Sequence, residues 1–409
     1  MSAVSEFVID MDVVQEEEVY QVYLLARANK RKSEDAVIFE INQERNIHNL
    51  THEINERTYR ANGNYTFISL RPQPREVFGC ELEARLVQWY FITKTAAVFE
   101  KVLTKRTFNN RIGMGTQAAV DRFHKDIIAV SHNFTRDAWI IQWDLTGYFP
   151  NANCDCAYDI VKRILDEEYD GDDKDVLLWM SMISIHANPQ AHCYKKSSPE
   201  MWATIPKHKS ILAKPPGIGG AIGFLIWQVV MNLYLNDVDV WAVYECGLRY
   251  VRFVDDSAMV VEDKEAALAM LPLFREKYAA VGAQMHPKKF YCQHVTKGMR
   301  FLGTYIKYER QYVDNRVIRN ALRRIREFNT CFNKYNHIQD FLSSINASIG
   351  LMKYKQEFGN IMFLWSKINK DWKKYVDFDY DRVCVVARSE YSYHKIMNRK
   401  FRRITNERF

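Results

Sequence analysis

The sequence lacks the cysteine pattern of a zinc protein. Its 409 residues include eight cysteines. They form no CxxC pair, and Cys154 and Cys156 lie closer together than zinc-binding pairs usually do. We therefore expect reduced thiols and no structural zinc. Glycine and proline are also scarce, at 16 and 10 residues, which excludes collagen-like and low-complexity chains and favours a globular fold.

Long hydrophobic runs are absent as well. Apolar stretches such as Ala221–Trp227 are much shorter than the roughly 20 residues that cross a bilayer. The first residues do not show the basic and then apolar order of a secretory signal. We predict a cytoplasmic protein with no membrane partner.

Positive charge is missing from one end of the chain and concentrated towards the other. Residues 1–20 contain no lysine or arginine, although the net charge of the whole chain is +7. Arginines recur at helical intervals further on, at Arg316, Arg319, Arg323, Arg324 and Arg326. Aromatic residues such as Phe328 and Trp365 follow them, and cations beside flat apolar surfaces suit a phosphate backbone with stacked bases. A solvated helix face is the alternative interpretation, but we predict nucleic acid as the leading partner.

Hydrophobic periodicity divides the chain into helices and strands. The predicted helices include 82–107, 153–168, 264–281 and one long apolar helix after the glycine loop at 217–223. The predicted strands include "YTFISL", "AWIIQWDLTGYF" and "MRFLGTYIKY", with two strands around the aspartate pair in "LRYVRFVDDSAMVVED". From about residue 314 onward the pattern is mainly helical.

Two adjacent aspartates, Asp255 and Asp256, stand between apolar residues of that hairpin. Ionised carboxylates in such surroundings repel each other and lose hydration, so something must compensate them. A third acid, Asp144, ends the apolar strand "WIIQWD". The order of strands and helices predicts a split βαβ sheet with the three acids at one edge. Two Mg²⁺ ions, or Mn²⁺ in their place, would compensate such a group together with substrate phosphate. A solvated turn is the other interpretation.

These motifs resemble those of reverse transcriptases. "FVDD", at Phe253–Asp256, is similar to their YxDD box, and "DLTGYF", at Asp144–Phe149, to their first palm motif. Five further segments resemble family boxes in the expected order: "RPQPREVFGCELEARLVQWYF", "RIGMGTQAAVDRF", "IPKHKSI", "HPKKF" and "FLGTYI". The resemblance extends over about residues 65–360. It implies an α+β right-hand polymerase with fingers, a palm containing a split βαβ antiparallel sheet, and a helical thumb.

The resemblance implies roles for the residues of the first palm motif and the aspartate pair. Asp144 and Asp255 would bind the two Mg²⁺ ions directly, with Asp256 as a weaker ligand. The backbone carbonyl of Leu145 would be a further metal ligand. Lys289, in "HPKKF", would protonate the leaving pyrophosphate as a general acid.

Other residues are assigned to the nucleotide and to nucleic acid. Arg75 would grip the triphosphate, because a planar guanidinium spans two phosphate oxygens, and Arg71 would be a second contact. Phe149 would lie under the sugar and exclude a 2′-hydroxyl, which predicts a preference for deoxynucleotides, and Gln228 belongs to the same substrate site. The residues assigned to nucleic acid are Arg111, Arg319, Arg323, Arg326 and Lys353.

The glycine loop "GIGGAIGFLIWQ" departs from the family pattern. Ala221 replaces a proline, and Ile226 and Trp227 stand where polar residues are usual. The retained glutamine, Gln228, points to the enzymes of diversity-generating retroelements and to the defence-associated (unknown-group) bacterial reverse transcriptases. An apolar loop near the template base predicts unusual template handling. The segment "INASIGLMKYKQEF" resembles the thumb of the same two groups through a glycine and Lys353.

We divide the chain into five parts. They are a helical N-terminal extension (1–60), fingers (61–140), palm (141–310), helical thumb (311–375) and basic C-terminal tail (376–409). The expected function is RNA-directed synthesis of DNA from a partner non-coding RNA in a bacterial anti-phage system. The alternatives are a mutagenic retroelement enzyme, a template-independent or protein-primed polymerase, and an inactive RNA-binding scaffold. An accessory or effector protein and a second copy of the chain are further expected partners.

Overall fold

The computed structural model describes residues 13–28, 33–61, 63–70, 73–330 and 338–388. The helices are α1 (Glu16–Arg27), α2 (Glu34–Ile41), α3 (Gln43–Asn55), α4 (Leu82–Val102), α5 (Thr116–Val130), α6 (Cys154–Glu168), α7 (Lys174–Ile185), α8 (Pro199–Trp202), α9 (Leu225–Tyr234), α10 (Asn236–Val240), α11 (Lys264–Ala280), α12 (Asn315–Thr330), α13 (Ile338–Tyr354) and α14 (Phe358–Lys367). Across these ranges, no helix combines the length and the apolar character needed to cross a membrane.

The strands are short and form several small sheets. They are β1 (Asn64–Ser69), β2 (Arg75–Cys80), β3 (Trp139–Leu145), β4 (Cys193–Lys195), β5 (Arg249–Phe253), β6 (Asp256–Val261), β7 (Met285–His294), β8 (Met299–Phe301), β9 (Thr304–Ile306), β10 (Gln311–Val313), β11 (Val376–Asp379) and β12 (Cys384–Ala387). This mixture of helices and sheets agrees with the α+β prediction. The division into fingers, palm and thumb stays a prediction.

The described residues fall into two compact units. One contains the chain up to Phe123 together with Ile141–Cys292, and the other contains His124–Ile140 and the chain from Gln293 onward. The first unit contains the three acids of interest, and the second contains α12 with its arginines.

A four-stranded sheet in the order β5-β6-β3-β7 places the acids. Its core is aromatic: the ring of Trp143 on β3 lies 4.7 Å from that of Phe274 on α11 and 6.0 Å from that of Tyr250 on β5. The indole nitrogen of Trp143 also donates to the Tyr278 hydroxyl at 3.2 Å. These buried rings hold α11 against one face of the sheet, so the strand ends that bear the acids have a rigid support.

A second sheet in the same unit has the order β2-β1-β4. Strands β1 and β2 are antiparallel, with Ser69 opposite Arg75, whereas β4 pairs with β1 in parallel. Strand β1 agrees with the predicted strand "YTFISL", but β4 was not foreseen, since three residues give too short a pattern.

The long helix predicted after the glycine loop is interrupted. It ends as α9 at Tyr234, resumes as the short α10, and continues as a π-helical turn over Trp241–Glu245. The buried residues Asn236 and Asp239 follow the break and bond to other elements, Asn236 to the carbonyl of Val102 and Asp239 to Arg252. Such distant polar contacts leave no trace in hydrophobic periodicity.

The second unit contains a small sheet, three helices and a terminal hairpin. Strands β8, β9 and β10 form the sheet, and β8 turns into β9 through Leu302 and Gly303, both with positive φ, so "MRFLGTYIKY" is a hairpin and not one strand. Its core is mainly aliphatic and contains a stacked aromatic pair, with the rings of Phe341 and Trp372 at 4.4 Å. Strands β11 and β12 form an antiparallel hairpin within the part predicted as a basic tail, and the five-part division of the chain stays a prediction.

Candidate active site

Strand β3 and the β5-β6 hairpin bring the three acids to one place. Burial alternates along the last residues of β3, so Trp143 and Leu145 are buried while Asp144 between them is only half-buried. On the hairpin, Phe253 pairs with Asp256, which leaves Val254 and Asp255 as a two-residue turn. The sheet order places β6 directly beside β3.

The three carboxyl groups lie close enough for their charges to repel, and this affects the pKa values of Asp255 and Asp256. Burial raises the pKa of Asp255 to about 6, assisted by the charge of Asp144 and a hydrogen bond to it. Burial also raises the pKa of Asp256 to about 7, and the charges of Asp255 and Asp144 add to the effect. The predicted repulsion between the adjacent aspartates is therefore present in the folded chain, with Asp144 taking part in it.

Two cations partly compensate these acids. The Nζ of Lys289 on β7 contacts Oδ2 of Asp144, and this hydrogen bond raises the pKa of Lys289. Arg75 is the exposed first residue of β2, and its charge lowers the pKa of Asp255 and of Asp256. Neither cation outweighs burial and repulsion, because both pKa values remain raised.

The donor set suits a hard divalent ion, but the described residues do not present a closed metal site. Among those residues, no three His, Cys, Asp or Glu side chains converge closely enough to hold a metal ion. Asp144 has Lys289 on one oxygen and shares a hydrogen bond with Asp255. Three carboxylates beside a substrate phosphate would suit Mg²⁺ or Mn²⁺, so both ions remain predictions for this site.

Phe149 lies in the loop after β3 and is half-buried. Its carbonyl accepts from the N–H of Gly220 at 2.8 Å, and the N–H of Gly219 donates to Ala152 at 2.7 Å. Gly219 has a φ of +113°, which only glycine adopts without strain. The glycine loop therefore holds the backbone that positions the predicted sugar-contacting ring.

The unusual residues of the glycine loop belong to the core. Ala221, Ile226 and Trp227 are each at most 1% exposed. Burial against the core accounts for their apolar character, and the expectation of unusual template handling stays a prediction. Gln228 follows them on α9 and is half-buried, and its carbonyl accepts from the Asn110 side chain at 2.9 Å.

The cations assigned to nucleic acid have different surroundings. The side chain of Arg111 is 4% exposed and donates to Glu100 and to the carbonyls of Thr104 and Thr107, so its guanidinium already has partners within the protein, and its assignment to nucleic acid stays a prediction. The Nζ of Lys353 donates to the carbonyl of Arg382 at 2.7 Å. Arg319, Arg323 and Arg326 are exposed residues of α12, as is Arg316. Arg71 lies outside the described residues.

A buried ion pair under the hairpin was missed by the sequence reasoning. Arg252 on β5 and Asp239 on α10 are both 0% exposed and form a bidentate contact with a shortest distance of 2.6 Å. A single charged residue inside the apolar strand "YVRFV" was the available signal. It indicates a buried partner, because an unpaired guanidinium is not tolerated in a core.

The chain resembles known proteins only in its structure, and only at low sequence identity. No family model and no curated protein matches the sequence. Among solved structures, apo telomerase from Candida tropicalis, truncated from its C-terminal domain, is similar at 12% identity over 61% of this chain and 55% of that chain, with a TM-score of 0.43. Telomerase from the same organism, in complex with a TWJ fragment of telomeric RNA, is similar at 13% identity over 80% of this chain and 59% of that chain, with a TM-score of 0.44.

The chain thus spans less than two thirds of the length of either telomerase chain. Both TM-scores lie below 0.5, a level at which likeness carries no functional argument.

Proposed function

We propose that this chain is an RNA-directed DNA polymerase that joins deoxynucleotides by two-metal nucleotidyl transfer. The observation that supports it most is the arrangement of Asp144, Asp255 and Asp256 at neighbouring strand ends, with raised pKa values on the last two. Acids that nearby cations compensate only in part are typical of a site completed by a cationic ligand. The right-hand fold with fingers, palm and thumb is part of the same proposal.

The three acids, with the carbonyl of Leu145, are the groups that would hold Mg²⁺. When bound, Mg²⁺ supplies positive charge to the acids and to the phosphate oxygens of the nucleotide. The acids have to be ionised to hold the ion. Near neutral pH, Asp256, whose pKa is raised to about 7, is still protonated in about half of the molecules, whereas Asp255, raised to about 6, is largely ionised. Lys289 must also release Asp144, whose Oδ2 it contacts.

Lys289 and Arg75 are proposed to act on the triphosphate. Lys289 is 54% exposed, so its ammonium group is able to leave Asp144 and reach a ligand. The contact with Asp144 raises its pKa and keeps the ammonium group protonated; leaving that carboxylate would lower the pKa again and so make Lys289 a better proton donor to the leaving pyrophosphate. Arg75 is exposed, and its charge already reaches Asp255, so a phosphate bound beside the acids would lie near its guanidinium.

Phe149 and Gln228 are proposed to complete the nucleotide site. Phe149 belongs to a loop held by the glycine loop, so its ring has a fixed backbone. A fixed ring under the sugar would exclude a 2′-hydroxyl by steric contact, which favours deoxynucleotides. Gln228 is half-buried and follows the buried Trp227 on α9.

The biological role is proposed from the resemblance of the motifs. We propose that the template is a partner non-coding RNA and that the DNA product serves bacterial anti-phage defence. A mutagenic retroelement enzyme would use the same chemistry on a template repeat with an accessory protein. Template-independent or protein-primed synthesis and an inactive RNA scaffold remain alternatives.

One experiment separates these possibilities. The protein is purified from its native host, and both the bound RNA and any DNA that it makes are sequenced. DNA complementary to one bound RNA supports the proposal, and DNA with substitutions at one template base supports the mutagenic alternative. DNA without a template match supports tailing, whereas bound RNA without DNA synthesis in the presence of Mg²⁺ supports the scaffold and contradicts the proposal.

A further inference from the structure

Buried polar side chains support the hairpin turn that carries Asp255. The guanidinium of Arg252 donates to both carboxylate oxygens of Asp239 at 2.6–2.9 Å. Asp239 also accepts from the Thr107 hydroxyl at 2.7 Å. Arg252, Asp239, Thr107 and Asn109 are all at most 3% exposed. We call these four residues the turn support.

Two contacts run from the turn support to the backbone of Val254. Nη1 of Arg252 donates to the Val254 carbonyl at 3.1 Å. The N–H of Val254 donates to Oδ1 of Asn109 at 2.9 Å. Asn109 is fixed in turn, because its own carbonyl accepts from the Asn232 side chain at 2.7 Å. Both backbone polar groups of the residue before Asp255 are thus bonded to buried side chains.

Val254 has a backbone conformation that requires such support. Its φ is +59°, a region that a β-branched residue rarely adopts. In a two-residue hairpin with a positive φ at the first central position, that residue is usually glycine. A strained residue of this kind persists only where surrounding contacts impose its conformation. The direction in which Asp255 leaves the turn therefore depends on contacts made by Val254.

We propose that Asn109 and Arg252 are positioning residues, which hold Val254 in its left-handed conformation and so keep Asp255 beside Asp144. The proposal rests on the proposed polymerase function, since Asp255 is there a metal ligand. Neither residue has to touch nucleotide or metal, because both act through the backbone of Val254. A misplacement of about 1 Å at a reacting centre is enough to lower a rate on the order of 100-fold.

Asn109→Ala is the variant that tests this. It removes the acceptor for the Val254 N–H and leaves the ion pair of Arg252 and Asp239 intact. Asn236→Ala is the matched control, because Asn236 is also buried, donates to the Val102 carbonyl at 3.1 Å and belongs to the same unit. Arg252 itself is a poor test, since its removal leaves Asp239 buried without its cation and would lower stability strongly in addition to any effect on the turn.

The expected result is a loss of rate with substrate affinity retained. Asn109→Ala should lower kcat for nucleotide incorporation about 10- to 100-fold with little change in KM for the nucleotide, and should weaken Mn²⁺ binding about 10-fold by electron paramagnetic resonance. Asn236→Ala should lower Tm to a similar extent without either effect. Adding Val254→Gly to Asn109→Ala should restore most of kcat, because glycine adopts a positive φ without steric cost.

Rescue by Val254→Gly distinguishes positioning from a general structural role. Absence of rescue, or equal effects of Asn109→Ala and Asn236→Ala on kcat, would overturn the proposal. Hydrogen exchange of the 250–258 peptide gives a readout without metal or nucleotide: faster exchange in Asn109→Ala alone supports it, and equal exchange in both variants contradicts it. Wild-type protein with neither incorporation nor Mn²⁺ binding would refute the proposed function, and hydrogen exchange would still decide whether Asn109 holds the turn.

Discussion

The two groups of charges on the β5-β6 hairpin are compensated in opposite ways. Arg252 is fully buried, and Asp239 raises its pKa further although burial opposes this. Asp255 and Asp256 lie three and four residues later, and burial and mutual repulsion raise their pKa values. The fold thus pairs Arg252 with a carboxylate, but it leaves Asp255 and Asp256 close to other acids that repel them. Structural charges are paired inside the chain, whereas acids left in conflict indicate a site that a ligand completes.

The largest expected effect comes from removing the conflicting acids. Asp255→Ala combined with Asp256→Ala should abolish nucleotide incorporation, because no group replaces the lost oxygen ligands. RNA binding should remain nearly intact, since we expect it to depend on exposed cations. Incorporation is measured by primer extension and RNA affinity by filter binding. Unchanged extension by the double variant would refute the catalytic role of the hairpin.

The paired charges should instead control stability. Asp239→Ala leaves the Arg252 guanidinium buried without its partner, so the free energy of unfolding should fall by about 3–5 kcal/mol. Asp237→Ala is the matched control on the same helix, because Asp237 pairs with Arg163 at the surface, with side chains 61% and 45% exposed. Its loss should cost about 0–1 kcal/mol. Urea denaturation compares the two, and equal losses would contradict the distinction.

The pH dependence of stability provides a third comparison. The pKa of Asp256 is about 7 in the folded chain, above its ordinary value of 3.8. Its contribution to stability is therefore fully present below pH 3.8 and is lost as the pH rises through 7. In EDTA, Asp256→Asn should match wild type near pH 4 and be more stable by about 4 kcal/mol at pH 8. A difference that does not vary with pH would show that this acid ionises freely.

Phe149 tests whether the loop beside the acids selects the sugar. Phe149→Ala should admit ribonucleotides and reduce discrimination against them on the order of 10- to 100-fold, because a methyl group leaves space for the 2′-hydroxyl. Single-nucleotide extension with matched ribo- and deoxynucleotides measures the ratio. Phe149→Tyr is the control and should keep the selectivity, since it retains the ring. Unchanged discrimination in Phe149→Ala would contradict the proposed contact.

The smallest expected effects concern the exposed arginines of α12. Replacing Arg319 and Arg326 by Gln should weaken RNA binding and reduce the slope of log affinity against log salt by roughly one per arginine. Lys353→Gln should change the slope less, because Lys353 already donates to the Arg382 carbonyl. Fluorescence anisotropy at several salt concentrations measures both. Equal salt slopes for all variants and the wild type would show that the RNA does not contact these residues.

Local signals made several elements predictable. Helices α6 and α11 agree with the predicted 153–168 and 264–281 to within one residue. Each begins at a polar cap: Asn153 accepts from the N–H of Cys156, and Asp263 accepts from the N–H groups of Glu265 and Ala266. Caps and amphipathic spacing are properties of a few neighbouring residues, so they are visible in one sequence.

Other features depend on distant contacts and were not predictable. The break between α9 and α10 and the β11-β12 hairpin had no signal in the pattern of apolar residues. The internal role of Arg111 depends on Glu100 and on the carbonyls of Thr104 and Thr107, which the fold supplies. The sequence of a basic chain does not distinguish an arginine that faces solvent from one that faces the interior.

The sequence by itself determined that two adjacent acids lie in an apolar hairpin and that a third ends a buried strand. It therefore determined that these carboxylates are costly to ionise, because burial and repulsion act on any acids placed in this way. Only the tertiary structure decided which charges are paired. Thr107 meets Asp239 across 132 residues, and Asn109 meets Val254 across 145. Contacts of that range form only when separate elements pack. The fold therefore gave Arg252 a carboxylate of opposite charge, whereas it placed Asp255 and Asp256 beside the like charge of Asp144.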